Sequence, residues 1–327
     1  MERFLAVDSG KENTKICIKR ASGNVKYSIP TRVDEVNILA EPEKDTDILV
    51  LDGKAYRIGK GATTYAPKED SKKSIHHKLS VWAAIAKYCD SDDEINIATG
   101  CPLSLCENAS YKKEYGEYIL PKNEPITVEL RTTEGKMRKT FTIKNRMVCP
   151  EGSGFIFSNP QKFEKKLVAI IDDGGLNLQV AMFDDCSLVH NSAITRKFGG
   201  RIFIDNLTDA INAEFATDFD RKLIESKMYS GNKADRFIRT AAADSKEKSA
   251  KFIEAQLTAY VKEVFRIAKE DGKVDPYNIE VYMQGGTTEL IKETVQKLYG
   301  SDIQFVEEPE FANAEGWLNA LLLACGK

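Results

Sequence analysis

The sequence predicts an α/β protein built from two similar halves, and two observations lead to this prediction. Residues 4–20 and 168–184 share one pattern: an apolar run that ends in an aspartate, a loop of small residues, and an alternating apolar run. In each half, segments typical of strands and of helices alternate after this hairpin. Such an order is typical of a sheet covered by helices, so each half is expected to form its own α/β layers.

Composition excludes several classes of protein. With 42% hydrophobic and 30% charged residues, the 327-residue chain has the profile of a soluble globular protein long enough for two domains. Its net charge of -3 argues against a dedicated nucleic-acid surface, which needs a basic excess. No run approaches the roughly 18 apolar residues of a membrane span. Seven cysteines without a CxxC pair predict free thiols in a reducing cytoplasm, and three histidines make a zinc site unexpected.

The first half reads as a series of strands with one clear helix. A turn signal at Asp52-Gly53 joins two of the strands, and a Glu-Gly turn at residues 134–135 joins two others. A helix is expected over residues 74–89, with Ser74 as its N-cap. The expected strands cover residues 3–8, 14–20, 25–30, the two arms of 47–59, 94–100 and the two arms of 126–145.

The second half restarts near residue 166 with the repeated hairpin. A glycine pair then opens an amphipathic helix that ends near residue 215, and apolar spacing of three and four residues predicts a long helix over 245–270. No low-complexity linker separates the halves, so they are expected to pack closely. The remaining expected elements are a strand ending on two glycines (278–286), a helix (288–300), a short strand (303–309) and a C-terminal helix (313–327).

The repeated hairpin carries a chemical signature. Aligning residue 4 with residue 168 superposes three pairs without a gap: Asp8 on Asp172, Gly10 on Gly174, and Asn13 on Asn177. Glycine in such a loop is expected to allow positive φ and to let backbone N–H groups approach a phosphate. Lys15 adds a positive charge, and an aspartate facing a phosphate needs Mg²⁺ between them. Two such hairpins are expected to bind a polyphosphate from both sides.

These segments resemble the actin-like ATPases, and among them the bacterial plasmid-segregation actins of the ParM type. "VDSGKENTK" resembles the first phosphate loop, "IIDDGGLNLQ" the second, and "VYMQGGTTELI" the segment that binds adenosine. "NIATGCPLS" and "FANAEGWLNALLL" resemble the two segments that connect the domains, and "VCPEGSGFIF" lies where the ParM type carries its catalytic glutamate. The resemblance implies an actin-like fold: duplicated ribonuclease-H-like domains with a nucleotide cleft between them.

The resemblance also implies domain limits and residue roles. Residues 1–165 with 312–327 would form actin-like domain I, and 166–311 domain II. Glu151 would orient or deprotonate the attacking water, with Asp172 able to share that work, and Asp8 and Asp172 would hold Mg²⁺ through water. The implied nucleotide-binding residues are Asp8, Ser9, Gly10, Lys11, Asn13, Lys15, Gly174, Gly175, Asn177, Gly199, Gly200, Gly285 and Gly286.

Plainer interpretations stand beside these roles. Glu151 is equally typical of a solvated loop residue, and Gly199-Gly200 of a packing contact at a helix start. His76-His77 reads as a surface pair. Within the second loop, Asp173 and Leu176 replace the small or hydroxyl residues more usual in this family, so any phosphate contact by Leu176 is expected to be through its backbone only.

The implied function is an ATPase coupled to polymerisation that uses ATP, or GTP, with Mg²⁺. The protein would form a helical filament with itself and push or pull plasmid DNA in the cytoplasm. A small DNA-binding adaptor of the ParR type at a centromere-like site would link filament and plasmid, without direct nucleic-acid or membrane binding by this chain. Two alternatives remain: an actin-like scaffold for cell shape or organelle positioning, and a small-molecule kinase of the same superfamily.

Overall fold

The structure is a computed structural model that describes residues 1–67, 72–230 and 232–327. The chain divides into two compact units. The first comprises Met1–Glu164 with Glu310–Lys327, and the second comprises Lys165–Pro309. Within the described ranges, no helix is long and apolar enough to cross a membrane.

Strands dominate the N-terminal part of the first unit. They are β1 (Glu2–Ser9), β2 (Asn13–Arg20), β3 (Gly23–Pro30), β4 (Val33–Val36), β5 (Thr46–Leu51), β6 (Lys54–Gly59), β7 (Glu94–Cys101), β8 (Pro125–Thr132) and β9 (Gly135–Pro150). The helices of this part are α1 (Ile75–Tyr88), α2 (Leu103–Cys106), α3 (Ala109–Ile119), α4 (Gly154–Ser158) and α5 (Pro160–Phe163).

The second unit alternates strands with longer helices. Its strands are β10 (Leu167–Asp173), β11 (Leu178–Asp184), β12 (Ser187–Leu188), β13 (Ile194–Arg196), β14 (Glu280–Gln284) and β15 (Ile303–Phe305). Its helices are α6 (Gly200–Phe215), α7 (Arg221–Met228), α8 (Ser245–Glu270) and α9 (Thr288–Tyr299), with a 3-10 turn at Lys233–Asp235. The chain ends in α10 (Ala312–Ala324), which belongs to the first unit.

In the described residues of the first unit, the strands form one nine-stranded sheet, and helices pack on both of its faces. Its strand order is β3-β2-β1-β7-β9-β8-β5-β6-β4. Side chains alternate between the faces of β1, as the pleat requires. Leu5 and Val7 pack in the cluster that contains residues of α1, whereas Ala6 packs with Trp317 and Leu318 of α10. The apolar run at the N-terminus is therefore a strand buried on both sides.

The second unit repeats the opening of the first in its own sheet. The order is β12-β11-β10-β14-β15, and β13 pairs with β11. In each unit, the first strand pairs antiparallel with the next strand and parallel with a later one: β1 with β2 and β7, β10 with β11 and β14. The core contains Ala169 and Ile171 of β10 packed with apolar residues of α6, α8 and α9.

The strand and helix predictions agree with the structure in most places, with some differences. The long helix covers the predicted 245–270, and Asp52 and Gly53 both have positive φ, as the predicted two-residue turn requires. Helix α3 was not predicted, and β9 continues through "RMVCP" as one 16-residue strand. Ser74 lies at the N-cap of α1, but its side chain makes no capping hydrogen bond.

Candidate functional site

The two hairpins that repeat in sequence have the same register in their sheets. Asp8 pairs with Lys15 across β1 and β2, and Asp172 pairs with Gln179 across β10 and β11. Each aspartate lies near the end of its strand, just before its loop. We call residues 9–13 the first loop and residues 173–177 the second loop. The sequence repeat is therefore a structural repeat, because the same positions occupy the same places in each hairpin.

The loop glycines provide space, and the expectation of positive φ is wrong for them. Neither Gly10 nor Gly174 has positive φ. A Cβ at Gly10 would lie 2.6 Å from the Asn13 carbonyl oxygen, and one at Gly174 would lie 3.1 Å from that of Asn177. The Gly10 N–H donates to the Asp8 carbonyl and the Gly174 N–H to the Asn177 carbonyl, so these two donors are already used within their hairpins.

In the first unit, two carboxylates and one ammonium group meet inside the protein. Asp8 is 7% exposed and Glu151 is 5% exposed. The Lys72 ammonium forms an ion pair with Glu151, lies 3.9 Å from Asp8 Oδ1 and donates to the Ser9 carbonyl at 2.7 Å. The interpretation of Glu151 as a solvated loop residue is therefore wrong, because the side chain is buried beside Asp8 and Lys72.

Burial sets the charge balance of this cluster. Desolvation raises the pKa of Asp8, although Lys72 and Lys15 oppose the rise. Burial also disfavours the charge of Lys72, but the attraction of Glu151 and Asp8 outweighs it and raises the pKa of Lys72. A raised pKa favours the charged form of Lys72 and the neutral form of Asp8, because Lys72 is in direct contact with Glu151 and farther from Asp8. Asp8 is thus a buried carboxyl group short of positive charge.

The C-terminal helix holds the turn that carries Glu151. The Gly152 and Gly154 N–H groups donate to Asn313 Oδ1 at 3.1 and 3.3 Å, and Asn313 Nδ2 donates to Asp8 Oδ2 at 3.5 Å. A Cβ at Gly316 would lie 1.7 Å from the Gly154 carbonyl oxygen, so the helix and the turn are in close contact. Asn313 therefore links the turn of Glu151 to Asp8.

His77 lies beneath the first loop, and the expectation of a surface pair is wrong for it. The side chain is fully buried, and its Nδ1 is 3.0 Å from Ser9 Oγ. Burial, together with the positive charges of Lys72 and Lys11, lowers the pKa of His77 well below its usual value. His77 is therefore a neutral support for Ser9.

The other predicted residues of the first hairpin lie around this cluster. The Lys15 Nζ atom lies 3.5 Å from the position of a Cβ at Gly10, on the strand opposite Asp8. Lys11 is only 7% exposed, whereas Asn13 is exposed at the start of β2. The structure thus brings Asp8, Ser9, Gly10, Lys15 and Glu151 together in the first unit.

In the second unit, Asp172 is held between a glutamine and a glycine. Gln284 Nε2 donates to Asp172 Oδ2 at 2.8 Å. Gly285 has a φ of 97°, and a Cβ there would lie 2.6 Å from Asp172 Oδ1 and 2.5 Å from the Asp173 carbonyl oxygen. Only glycine fits this position. At Gly286, by contrast, a Cβ would have no atom within 4 Å, so backbone here is open to a ligand.

Asp173 is turned into the core of the second unit. It is fully buried, and the Tyr260 hydroxyl donates to its carboxyl oxygens at 2.9 and 3.1 Å. The Tyr260 ring stacks on Phe198 at 4.7 Å. Desolvation raises the pKa of Asp173 well above its usual value, with Asp172 adding to the rise. The residue that departs from the family pattern is therefore a core side chain.

The glycine pair at the start of α6 packs against the second loop. A Cβ at Gly199 would lie 2.4 Å from the Gly174 carbonyl oxygen. The Gly200 N–H donates to that carbonyl at 3.0 Å, and the Arg201 N–H donates to the Gly175 carbonyl at 2.7 Å. Of the two interpretations of this pair, packing accounts for these contacts.

Each hairpin, taken by itself, supplies oxygen atoms of the kind that Mg²⁺ prefers. At Asp8 the effect of burial outweighs the positive charges of Lys72 and Lys15, and Asn177 Oδ1 in the second loop is a buried acceptor without a hydrogen-bond partner. Mg²⁺ takes oxygen ligands and keeps several waters, so a single carboxylate is a typical protein contribution to its binding. Among the residues that the structure describes, no group of three or more His, Cys, Asp or Glu forms a metal site by itself.

Sequence reasoning missed four side chains that hold these groups. Lys72 carries no signal in the sequence, because it looks like half of a surface Lys-Lys pair. Gln284 and Thr287 flank the noted glycine pair, and Asn313 lies in a segment noted only as a domain connector. Thr287 Oγ1 donates to the Gly174 carbonyl at 2.9 Å. Position next to the glycine pair is the signal that points to Gln284 and Thr287.

Comparison with known proteins bears on the family and the fold of the chain. Residues 6–154 match the family described as "Actin like proteins N terminal domain". A search of curated proteins gave no significant match. Across the whole chain, the fold matches solved structures of actin homologues, so this is a protein of actin-like fold. ParM and Alp proteins are among these structures, so the resemblance to the ParM type is confirmed at the level of the fold.

Three of the similar structures illustrate the match. The Alp12 filament structure has a TM-score of 0.73 and 23% identity over 99% of both chains. Ta0583, an archaeal actin homologue, has a TM-score of 0.78 and 17% identity over 98% of this chain and 99% of that one. A 15-stranded ParM filament from Clostridium botulinum has a TM-score of 0.72 and 16% identity over 98% and 99%. Ta0583 is also described in complex with ADP, at a TM-score of 0.72 and 17% identity over 97% and 98%.

Proposed function

We propose that this chain is an ATPase that polymerises with Mg-ATP or Mg-GTP, hydrolyses it within the filament and thereby segregates plasmid DNA. The observation that carries the proposal is the pair of hairpins with one register, each bearing a buried aspartate before its loop. A duplicated carboxylate at a loop of small residues suits a ligand whose charge has to be bound from two sides.

The ligand that suits these hairpins is a magnesium nucleoside triphosphate. Lys15, which lies beside Gly10 and acts on the charge of Asp8, supplies positive charge for the phosphates. Asp8 and Asp172 hold Mg²⁺ through its waters, and the metal neutralises phosphate charge. The open backbone at Gly286 lies next to Gly285, on the segment that the resemblance assigns to the nucleoside. The ADP complex of Ta0583 supports a nucleotide as ligand.

Hydrolysis needs positioning and charge neutralisation more than covalent chemistry. In the proposed step, a water oxygen forms a bond to the terminal phosphorus, and the bond from that phosphorus to the bridging oxygen breaks. Glu151 accepts the proton of the water, and the diphosphate leaves with the bridging oxygen. Glu151 is suited to this role because its turn is fixed by Asn313, which also contacts Asp8.

Filament formation and DNA segregation rest on the comparisons. The Alp12 and Clostridium botulinum ParM structures are described as filaments, and the whole chain shares their fold. A net charge of -3 suits an indirect link to DNA through a basic adaptor of the ParR type. The filament would act in the cytoplasm, as the free thiols of the chain favour.

The test is light scattering at 90° recorded together with phosphate release after Mg-ATP or Mg-GTP is added to the purified chain. We expect scattering to rise with one of the two nucleotides and phosphate release to follow it. Omission of Mg²⁺ and replacement of the triphosphate by ADP are the controls, and both should suppress assembly.

Two outcomes would contradict parts of the proposal. Phosphate release without scattering at any protein concentration would leave a nucleotide hydrolase and rule out the filament. Small-molecule acceptors would then be screened for kinase activity. Absence of both signals, with no nucleotide retained by the protein, would rule out the nucleotide site itself.

A further inference from the structure

Lys72 is a buried cation whose role the proposed mechanism leaves open. Its side chain lies immediately before α1 and is 4% exposed. The ammonium group donates to the Ser9 carbonyl at 2.7 Å and forms an ion pair with Glu151 Oε1. One positive charge thus contacts the backbone of the first loop and the side chain proposed to accept the proton.

Stability alone does not account for this arrangement. Lysine is almost never fully buried unless it is paired, because removing an ammonium group from water is costly. Replacing a buried ion pair with apolar side chains of similar size is often neutral or stabilising. Folding could therefore be served by a Met at position 72 with an uncharged partner. The position of the charge, between the loop and Glu151, is the feature that needs a reason.

The contacts of Lys72 with two different segments suggest the reason. Ser9 is in the first loop, and Glu151 is in the turn after β9, so the ammonium group bridges two segments distant in sequence. Lys72 engages Oε1 of Glu151. A carboxylate bound in this way has a fixed orientation relative to the loop that binds the phosphates.

We propose that Lys72 is a positioning residue that fixes the Glu151 carboxylate against the first loop for attack by water. The inference rests on the proposed function, since it assigns Lys72 a part in the same hydrolysis. Lys72 acts through Glu151, so its removal should impair the chemical step and leave the affinity for nucleotide nearly unchanged.

The test is a double-mutant cycle on Lys72→Met and Glu151→Gln, measured as single-turnover hydrolysis of bound nucleotide. Because both residues serve one proton transfer, we expect each single variant to lose about 100-fold in rate. The double variant should be no slower than Glu151→Gln alone, since residues that act as a unit are not additive. Lys72→Arg, which keeps the charge, should recover most of the rate.

Affinity separates positioning from direct phosphate binding. We expect Lys72→Met to change the Kd for the triphosphate by less than about 3-fold, because Lys72 is proposed to act on Glu151 and not to bind the nucleotide itself. A loss in the double variant equal to the product of the single losses would overturn the inference, as would a Kd raised about 10-fold or more. Unchanged hydrolysis in Lys72→Met would also overturn it.

Thermal unfolding without nucleotide guards against a misfolded variant. Lys72→Met leaves Glu151 buried without its cation, so its Tm should fall, and adding Glu151→Gln should restore part of the loss. Lys73→Met is the matched control, because Lys73 pairs with Glu114 at the surface and should change neither Tm nor rate. If the double variant melts no higher than Lys72→Met, the ion pair is not the coupling and the inference fails.

The melts also separate the two proposals. If the wild-type chain hydrolyses no nucleotide, the proposed function fails, and the role of Lys72 in hydrolysis fails with it. This holds even if thermal unfolding shows that the ion pair stabilises the protein. If the wild-type chain hydrolyses nucleotide and Lys72→Met does so equally well, only the inference about Lys72 fails.

Discussion

The first and second hairpins have the same backbone plan and different chemistry. In both, the aspartate pairs with the residue seven positions later, at Lys15 in the first and Gln179 in the second. Around Asp8 lie the charged groups Lys72, Lys15 and Glu151. Around Asp172 lie the Gln284 amide and the backbone of Gly285.

This difference shows that the strand register of a hairpin and the side chains around its aspartate are determined by different parts of the sequence. Register follows from the loop and from the alternation of side chains between sheet faces, so a slip of one residue would expose the core. The groups that contact the aspartates come from other segments and are free to differ. The first hairpin therefore has a buried carboxylate and its counter-ion nearby, whereas the second offers neutral hydrogen bonds and close glycine contacts.

The largest expected effect distinguishes the two carboxylates that were candidates for the catalytic base. Because only Glu151 would take the proton, Glu151→Gln should slow single-turnover hydrolysis about 100-fold at saturating Mg-nucleotide. Asp172→Asn should instead raise the Mg²⁺ concentration needed for half-maximal rate, since Asp172 is proposed to hold the waters of the metal. Hydrolysis is measured over a Mg²⁺ titration. If the hydrolysis rate of Asp172→Asn stays low even in excess Mg²⁺, Asp172 takes part in the proton transfer.

The next effect concerns the glycine pair after β14. Gly285→Ala would place a Cβ 2.5 Å from the Asp173 carbonyl oxygen at a φ of 97°, so it should cost about 3 kcal/mol from overlap and backbone strain together. Gly286→Ala is the matched control, because its Cβ would meet no atom within 4 Å and its cost should stay below about 1 kcal/mol. Urea unfolding of both variants measures the difference. Equal losses would contradict the close contact at Gly285.

The hairpins and the long helix could be predicted because their signals are local. Apolar alternation, the turn at Asp52-Gly53 and the spacing within 245–270 depend only on neighbours in sequence. The repeat predicted Asp8 and Asp172 as equivalents, and the actin-like fold is confirmed. Helix α3 was missed because its apolar residues are few, and only Tyr115, Gly116 and Ile119 are buried.

The side chains around the aspartates could not be predicted because they come from distant segments. Lys72 and Asn313 reach Asp8 from 64 and 305 positions away, and nothing in their local sequence requires it. His77 was misread for the same reason, since a histidine at a helix start is usually exposed. The roles of the site residues in catalysis stay predictions until the variants are measured.

A smaller effect compares the two loops directly. At Gly10 a Cβ would lie 2.6 Å from a backbone oxygen, whereas at Gly174 the distance would be 3.1 Å. Gly10→Ala should therefore cost about 2 kcal/mol and Gly174→Ala about 1 kcal/mol or less, because only the first forces the backbone to move. Thermal unfolding of the two variants without nucleotide checks the order. A larger loss at Gly174 would show that the loops differ in rigidity as well as chemistry.

The smallest effect is the pH dependence of stability caused by Asp173, a buried acid of the second loop that has no counterpart in the first loop. The folded-state pKa of Asp173 is raised by burial, so the folded chain retains a proton that the unfolded chain releases above a pKa of about 3.9. The stability it contributes is present below that pKa and is lost as pH rises toward the folded pKa. Asp173→Asn keeps the shape without this proton, so its Tm relative to wild type should rise between pH 5 and pH 8.

The direction of this change follows from the raised pKa of Asp173, whose charge in the folded chain is disfavoured by burial. Tyr260→Phe provides the comparison, because it removes the hydroxyl that donates to Asp173 and leaves the acid in place. The pH dependence seen in wild type should persist in that variant and extend to higher pH, since the hydrogen bond opposes the rise in the pKa of Asp173. A Tm difference between Asp173→Asn and wild type that is constant across this range would mean that Asp173 is ionised in the folded protein, and the contrast with the first hairpin would then lie only in its lysines.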